Sequence, residues 1–303
     1  MIKIENGGIT LMANFIISGF ADEISTDLDE QIQVLQANNI HHIELRGIDN
    51  KNVSQFTFDE AKKYKKRLDD QNISVSSIGS PIGKIGINDN FTPHLNLFRH
   101  VLEIAKIFQA PYVRMFSFYI PQDESADKYK DEVVRRWQAF MEIAHEYPEI
   151  TLLHENEKEI FGDTPERCLF LVETINSPQL KIAFDPANFV QCGVDVYSRA
   201  FHLLKPYIDY LHIKDANKID GGVVPAGYGD GEVAKVLESL INEDYNGYLS
   251  IEPHLATFSG YENLEHNSVP MTNIRNDNGA RTFTIASNAL RKILIDQLHQ
   301  EWH

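Results

Sequence analysis

Short apolar runs alternate along the chain with longer stretches of helical spacing. The runs fall at 15–20 (FIISGF), 41–46 (HHIELR), 73–78 (ISVSSI), 111–117 (PYVRMFS), 150–155 (ITLLHE), 180–185 (LKIAFD), 208–213 (IDYLHI) and 247–252 (GYLSIE). They are short and rich in β-branched or aromatic residues, as buried parallel strands are. Amphipathic spacing predicts helices near 27–38, 57–71, 92–109, 126–146, 164–176, 195–205, 231–242 and 279–297. Thr92-Pro93 and Thr164-Pro165 are expected to open the third and fifth of these, because proline suits the first helical turn. Eight strands, each followed by a helix, predict an α/β protein with the closed (β/α)8 TIM barrel fold. A doubly wound open sheet would want a glycine-rich phosphate loop after its first strand, and FADEIS at 20–25 carries no glycine.

No linker rich in Pro, Gly or Ser divides the chain. Residues 1–13 read as an N-terminal extension, within which Met12 offers an alternative start, and residues 14–303 as a single barrel domain. A long segment at about 253–278, rich in Gly, Asn, Ser and His, follows the eighth strand. Connections of this length inside a domain are functional lids or surface insertions.

Charge narrows the partners. Forty-four acidic against 28 basic residues give a net charge of −16, which repels a phosphate backbone. The one lysine cluster, Lys62, Lys63, Lys65 and Lys66, lies on a predicted helix and reads as a solvated face. No nucleic-acid partner is expected. No apolar stretch approaches the roughly 20 residues needed to span a bilayer, and the start lacks the apolar core of a signal peptide. Two cysteines, Cys168 and Cys192, imply no disulfide framework, so a cytoplasmic setting is expected. Cys192 reads as a packed small hydrophobe.

Barrels of this kind build their sites at the C-terminal ends of the strands. The fifth run ends at Glu155, the sixth at Asp185, the seventh reaches His212 and the eighth ends at Glu252. Four successive strands thus deliver one metal-competent side chain each to the same rim. A carboxylate closing an apolar run is costly to desolvate unless it is paired or metal-bound. Three carboxylates and one imidazole suit a single divalent ion (Mn, Mg, Co or Zn).

Read together, LLHEN, FDPAN, LHIKDANK, VPAGYGDGE and IEPH resemble the xylose-isomerase-like barrel superfamily, in particular its sugar (phosphate) isomerase/epimerase group with the tagatose- and psicose-type 3-epimerases. The resemblance covers about residues 14–297. It implies that Glu155, Asp185, His212 and Glu252 hold the metal and that Glu155 and Glu252 form the catalytic acid/base pair. The activity implied is isomerisation or epimerisation of a small sugar or sugar phosphate through an enediolate. Barrels of the family often pair through surface helices, so a homo-oligomer is an expectation too.

Further substrate contacts are expected from Asn188, Lys214, Lys218, Arg114, Glu44 and Lys84. Asn188 stands where the epimerases carry a histidine, and Lys218 where they carry an arginine. Lys214, in HIKD, is either a ligand contact or the salt-bridge partner of Asp215. Glu44 and Arg46 end the second strand, and Arg114, inside the fourth, requires an anionic partner such as Glu44 or Glu155. Lys84, in GSPIGK, can reach the rim to bind a phosphate or carboxylate. His154 precedes Glu155 and is expected to point into the barrel wall. Two other functions remain open. One is a dehydratase of an inosose-like keto-polyol, with Lys214 as acid; the other is a non-catalytic sugar-binding module. The AP-endonuclease pattern of the same superfamily needs extra histidines that are missing at Asn188 and in the 227–230 stretch.

Overall fold

The computed structural model describes residues 2–5, 8–254 and 279–303. The long segment expected at 253–278 therefore lies, from residue 255 onward, outside the described residues. Eight strands form the barrel: β1 (Asn14–Gly19), β2 (His42–Leu45), β3 (Ser74–Ile78), β4 (Tyr112–Met115), β5 (Thr151–Glu155), β6 (Leu180–Phe184), β7 (Ile208–Ile213) and β8 (Asn246–Ile251). They pair in parallel in the order β1-β8-β7-β6-β5-β4-β3-β2, a nearly closed barrel. Each strand matches its expected run to within a few residues. Before β1, Ile2–Glu5 and Gly8–Leu11 pair as an antiparallel hairpin where only an extension was expected.

Helices α1 (Leu28–Ala37), α2 (Phe58–Asp70), α3 (Phe91–Phe108), α4 (Lys130–Ala144) and α5 (Pro165–Ile175) follow the first five strands. The caps account for several starts. Thr57 and Glu60 form a reciprocal capping box at α2, satisfying two backbone N–H groups. At α3 the cap is Asn90, which accepts from the Thr92 N–H at 3.2 Å, so Thr92-Pro93 lies inside the first turn rather than before it. A short helix, α6 (Pro186–Gln191), was not expected; its Asp185 cap and first-turn proline are the same signals that mark longer helices. Then come the helical stretches Val196–Phe201 and His202–Leu204, followed by α7 (Val233–Asn242) after β7 and α8 (Gly279–Arg291).

Strand alternation sorts the side chains. On β5, Leu152 and His154 face the helices while Leu153 and Glu155 face inward; on β7, Tyr210 and His212 face inward. Leu153, Ala183 and Tyr210 form a small apolar cluster of their own, with Tyr112 and Tyr248 against it, separate from the main core between strands and helices. Above this plug lie small hydroxyls, with Ser18 and Ser76 Oγ 2.6 Å apart and Ser76 Oγ 2.8 Å from the Tyr210 hydroxyl. The charged groups sit above these.

One loop has its own buried support. Gly83 has φ +94°, and a Cβ there would stand 2.1 Å from the Phe116 carbonyl oxygen, so only glycine fits. The Gly83 N–H donates to His94 Nε2 at 2.7 Å, which requires a neutral imidazole. Burial, aided by Arg136, pushes His94 down to about 4. Its folded value is below that of the unfolded chain, so its stabilisation is complete above about pH 6.5 and is lost as pH falls toward 4. The melting temperature is expected to fall between pH 7 and 5 by the equivalent of roughly 1–2 kcal/mol. A His94→Gln variant, whose amide oxygen can still accept from Gly83, should flatten part of that decline in a pH series of thermal melts. An unchanged slope would place the acid sensitivity elsewhere, with His154, also pushed down to about 4 by burial, the next group to vary.

Candidate active site

The rim of the barrel gathers four buried side chains. Ligand atoms of Glu155, Asp185, His212 and Glu252 all lie within 4.8 Å of one another. Each has a local reason to be there. Glu155 is the last residue of β5, and Glu252 directly follows β8. Asp185 caps α6 with Oδ1, accepting from the Asn188 N–H at 2.8 Å, which leaves Oδ2 turned toward the cluster. Asn156 brackets Asp185 with two 2.9 Å hydrogen bonds, donating to its carbonyl and accepting from its N–H. His212 Nδ1 faces Glu155 Oε1 at 2.9 Å, Asp185 Oδ2 at 3.7 Å and Glu252 Oε2 at 3.8 Å.

Asp185 Oδ2 and Glu155 Oε2 are buried and accept no hydrogen bond. Such acceptors are costly unless a cation serves them. Two ammonium or guanidinium groups do so in part. Lys214 Nζ lies 3.1 Å from Asp185 Oδ2 and 3.0 Å from Glu252 Oε2, and Arg114 Nη1 lies 3.2 Å from Glu155 Oε2. Burial would raise the Glu155 carboxyl, but His212 and Arg114 outweigh it and hold it down at about 2. Glu252 is likewise held well below its usual range, because Lys214 and His254 overcome the effect of burial. Both glutamates are therefore ionised, as proton acceptors must be. Three carboxylate oxygens and an imidazole nitrogen at this spacing fit one divalent cation, whose opposite ligands stand about 4.2 Å apart.

The expected residues divide into two groups. Glu155, Glu252, Arg114 and Lys84 line a cleft of about 440 Å³, together with Arg46, Asn52, Gly79, Pro81, Glu157 and His254. Asp185, His212, Glu44, Asn188, Lys214 and Lys218 do not. Glu44 is fully buried beneath the rim, 3.3 Å from His212 Nε2. Asn188 Nδ2 donates to Glu155 Oε1 at 3.3 Å and to the Asn156 carbonyl at 2.9 Å, so it steadies Glu155. The Lys214–Asp215 pair does not form: Asp215 instead accepts the N–H groups of Ala216, Gly227, Gly229 and Gly231 at 2.7–3.0 Å, tying down the glycine-rich loop. Lys218 is exposed and pairs with Asp195 at 3.3 Å. His154 does point into the wall, with Nε2 2.9 Å from Ser117 Oγ. Cys192 is partly buried, and burial pushes its thiol up to about 12, far from a reactive thiolate.

Sequence reading missed a second layer. Arg46 reaches Asp22 at 2.7 Å, Glu23 at 3.0 Å and Glu252 at 3.1 Å. His254 Nε2 lies 2.8 Å from Glu252 Oε1 and 3.4 Å from Glu23 Oε1. Glu23, Glu252 and His254 have the spacing of a second cation site, but the Arg46 guanidinium already supplies positive charge to both glutamates, which disfavours one. The signal available was ADE directly after the first strand and the histidine in IEPH.

The sequence of residues 32–268 matches the family described as xylose isomerase-like TIM barrel. No curated protein sequence matches the chain. Among solved structures, a D-tagatose 3-epimerase-like protein superposes with a TM-score of 0.68 at 18% identity, over 92% of this chain and 98% of that one. The probable 3-DHS dehydratase AsbF of Bacillus anthracis gives 0.68 at 17% identity, over 91% and 98%. The IOLI protein with a binding zinc atom gives 0.68 at 16% identity, over 93% and 99%. Barrel order, ligand cluster and sequence match agree, and the chain belongs to the xylose isomerase-like TIM barrel family.

Proposed function

We propose that the protein is a divalent-metal-dependent isomerase or epimerase of a small sugar, with Glu155 and Glu252 as the pair that moves the proton. The observation that carries this is their double membership: each glutamate lines the open cleft and also belongs to the buried ligand cluster. A metal held by Glu155, Asp185, His212 and Glu252 would polarise a carbonyl and its neighbouring hydroxyl, worth several kcal/mol as negative charge develops. The chain's own residues do the rest. One ionised glutamate takes the proton from the carbon next to the carbonyl, and a carboxyl so protonated can return it. Arg46, Lys214 and Arg114 fix the carboxylates in place, and the open cleft that both glutamates line lets a protonated carboxyl exchange with solvent. The structural relatives include proteins named as a D-tagatose 3-epimerase-like protein and a probable dehydratase, and the IOLI protein carries a zinc atom, which supports the same reading here. Lys214 lies beneath the cleft lining rather than on it, which weighs against a dehydratase that uses it as the acid for a departing hydroxide. Among the described residues no helix is long and apolar enough to cross a membrane. With both cysteines unpaired, we place the enzyme in the cytoplasm.

Incubation of the metal-loaded protein in D₂O with ketoses, their phosphates and inosose, followed by NMR, tests the reading. Deuterium is expected at the carbon next to the carbonyl, and the product separates epimerase, isomerase and dehydratase. Binding of metal and sugar with no exchange would favour a non-catalytic sugar-binding module.

Glu44 has a defined place in this scheme. By accepting from His212 Nε2–H it leaves the Nδ1 lone pair facing the three carboxylates. Glu44→Gln removes the charge but not the volume, and an amide can present its donor to Nε2 instead. Metal affinity is expected to weaken by roughly 10–100-fold, read by calorimetric titration with Mn²⁺. An unchanged affinity would assign Glu44 to barrel packing alone.

A further inference from the structure

We propose that the cleft takes a neutral, unphosphorylated sugar, and that Glu157 sets this specificity by cancelling the charge of Lys84; the inference rests on the isomerase reading above. Lys84 Nζ lies 3.3 Å from Glu157 Oε2, and the side chains are only 14% and 10% exposed on the cleft wall. The Lys84 ammonium also sits 4.4 Å from the centre of the Phe116 ring. Neither partner is loosely held. The backbone ahead of Lys84 is fixed by Gly83 against Phe116 and His94, and Glu157 Oε1 accepts the Lys158 N–H at 3.1 Å.

The other two strong cations of the cleft are engaged in the same manner. Arg46 bonds Asp22, Glu23 and Glu252, and Arg114 faces Glu155 and donates to the Ser80 carbonyl. Lys218, expected as a substrate contact, stands outside with Asp195. Every strong cation that the described residues bring to the cleft thus faces a carboxylate. A buried ion pair contributes little to stability, so its value at a cleft wall lies in what it recognises. A hydroxyl both donates and accepts and can bridge an ammonium and a carboxylate. A phosphate monoester is an acceptor-only anion with close to two negative charges at neutral pH. It would have to pull Lys84 from Glu157 and then lie against the carboxylates of Glu155, Glu157 and Glu252.

Calorimetric titration of the manganese-loaded protein with glycerol 3-phosphate decides the matter without knowledge of the true substrate. Binding is expected to be millimolar or weaker in the parent. In Glu157→Gln, which keeps the shape and removes the carboxylate that faces Lys84, it should tighten at least about tenfold. Adding Lys84→Met to that variant should remove the gain. Sub-millimolar binding by the parent, or no tightening in Glu157→Gln, overturns the inference. Turnover separates it from the reading beneath it. If ketose phosphates exchange deuterium faster than the free ketoses, the specificity rule falls and the isomerase stands. If no sugar exchanges, the isomerase falls, and the glycerol 3-phosphate titration still decides the charge rule.

Discussion

Glu252→Gln is expected to cut deuterium exchange from a sugar substrate by roughly 10²–10⁴-fold, the contribution of a correctly placed proton-transfer group. The substitution keeps the shape and removes the base. Its neighbours predict a folded variant. Arg46 retains Asp22 and Glu23, and Lys214 retains Asp185, so no cation is left buried without an anionic partner. The Glu252 carboxylate is also a ligand of the proposed metal, so the assay requires saturating metal, confirmed by titration in the same buffer. Circular dichroism and thermal melts should match the parent closely. Exchange within tenfold of the parent, at full metal occupancy, would remove Glu252 from the chemistry. Glu155→Gln is the matched control: loss of exchange there alone would describe a one-base enzyme.

The clustering of Glu155, Asp185, His212 and Glu252 was legible because strand alternation is a strong constraint. An apolar run that ends in a carboxylate at the C-terminal edge has nowhere else to point, and β5, β6 and β8 all follow this form. The same rule locates Glu44, although sequence reading grouped it with substrate contacts. Glu44 lies in β2 and Arg46 directly follows that strand, two residues on, so both face inward while Glu44 lies a layer deeper. Alternation also separates Lys214 from Asp215, since adjacent residues of an extended chain face opposite sides. Other features were not legible. The Arg46 network joins Asp22 and Glu23 after β1 to Glu252 and His254 after β8, more than 200 positions away, through loops that carry no period. The Lys84–Glu157 pair joins loops after β3 and β5 in the same manner. Such pairings follow from the barrel's strand order, which places β1 beside β8 and gathers the loops after β3 and β5 on one rim, rather than from any local pattern.

Chelation of the metal is expected to abolish exchange while leaving the protein folded, with activity restored by Mn²⁺, Mg²⁺, Co²⁺ or Zn²⁺. The fold should survive because the core between strands and helices does not pass through the site. Lys214 and Arg114 also continue to neutralise Asp185, Glu252 and Glu155. Reloading to 100 times the dissociation constant should add about 2.7 kcal/mol, a rise of a few degrees in melting temperature. The affinity should rise with pH. In the metal-free site burial would lower the His212 imidazole, but Glu155 and Glu44 outweigh it and hold the group well above its usual value. A ligand nitrogen must be neutral, so loading expels that proton and tightens by up to about tenfold per pH unit below the raised value. Calorimetry at pH 6 and pH 8, in buffers of different ionisation enthalpy, reads the proton release directly. Full exchange by the chelated protein would mean that the Lys214 ammonium, already bridging Asp185 and Glu252, supplies enough positive charge alone. The site would then be a metal-free proton-transfer centre on a metalloenzyme scaffold.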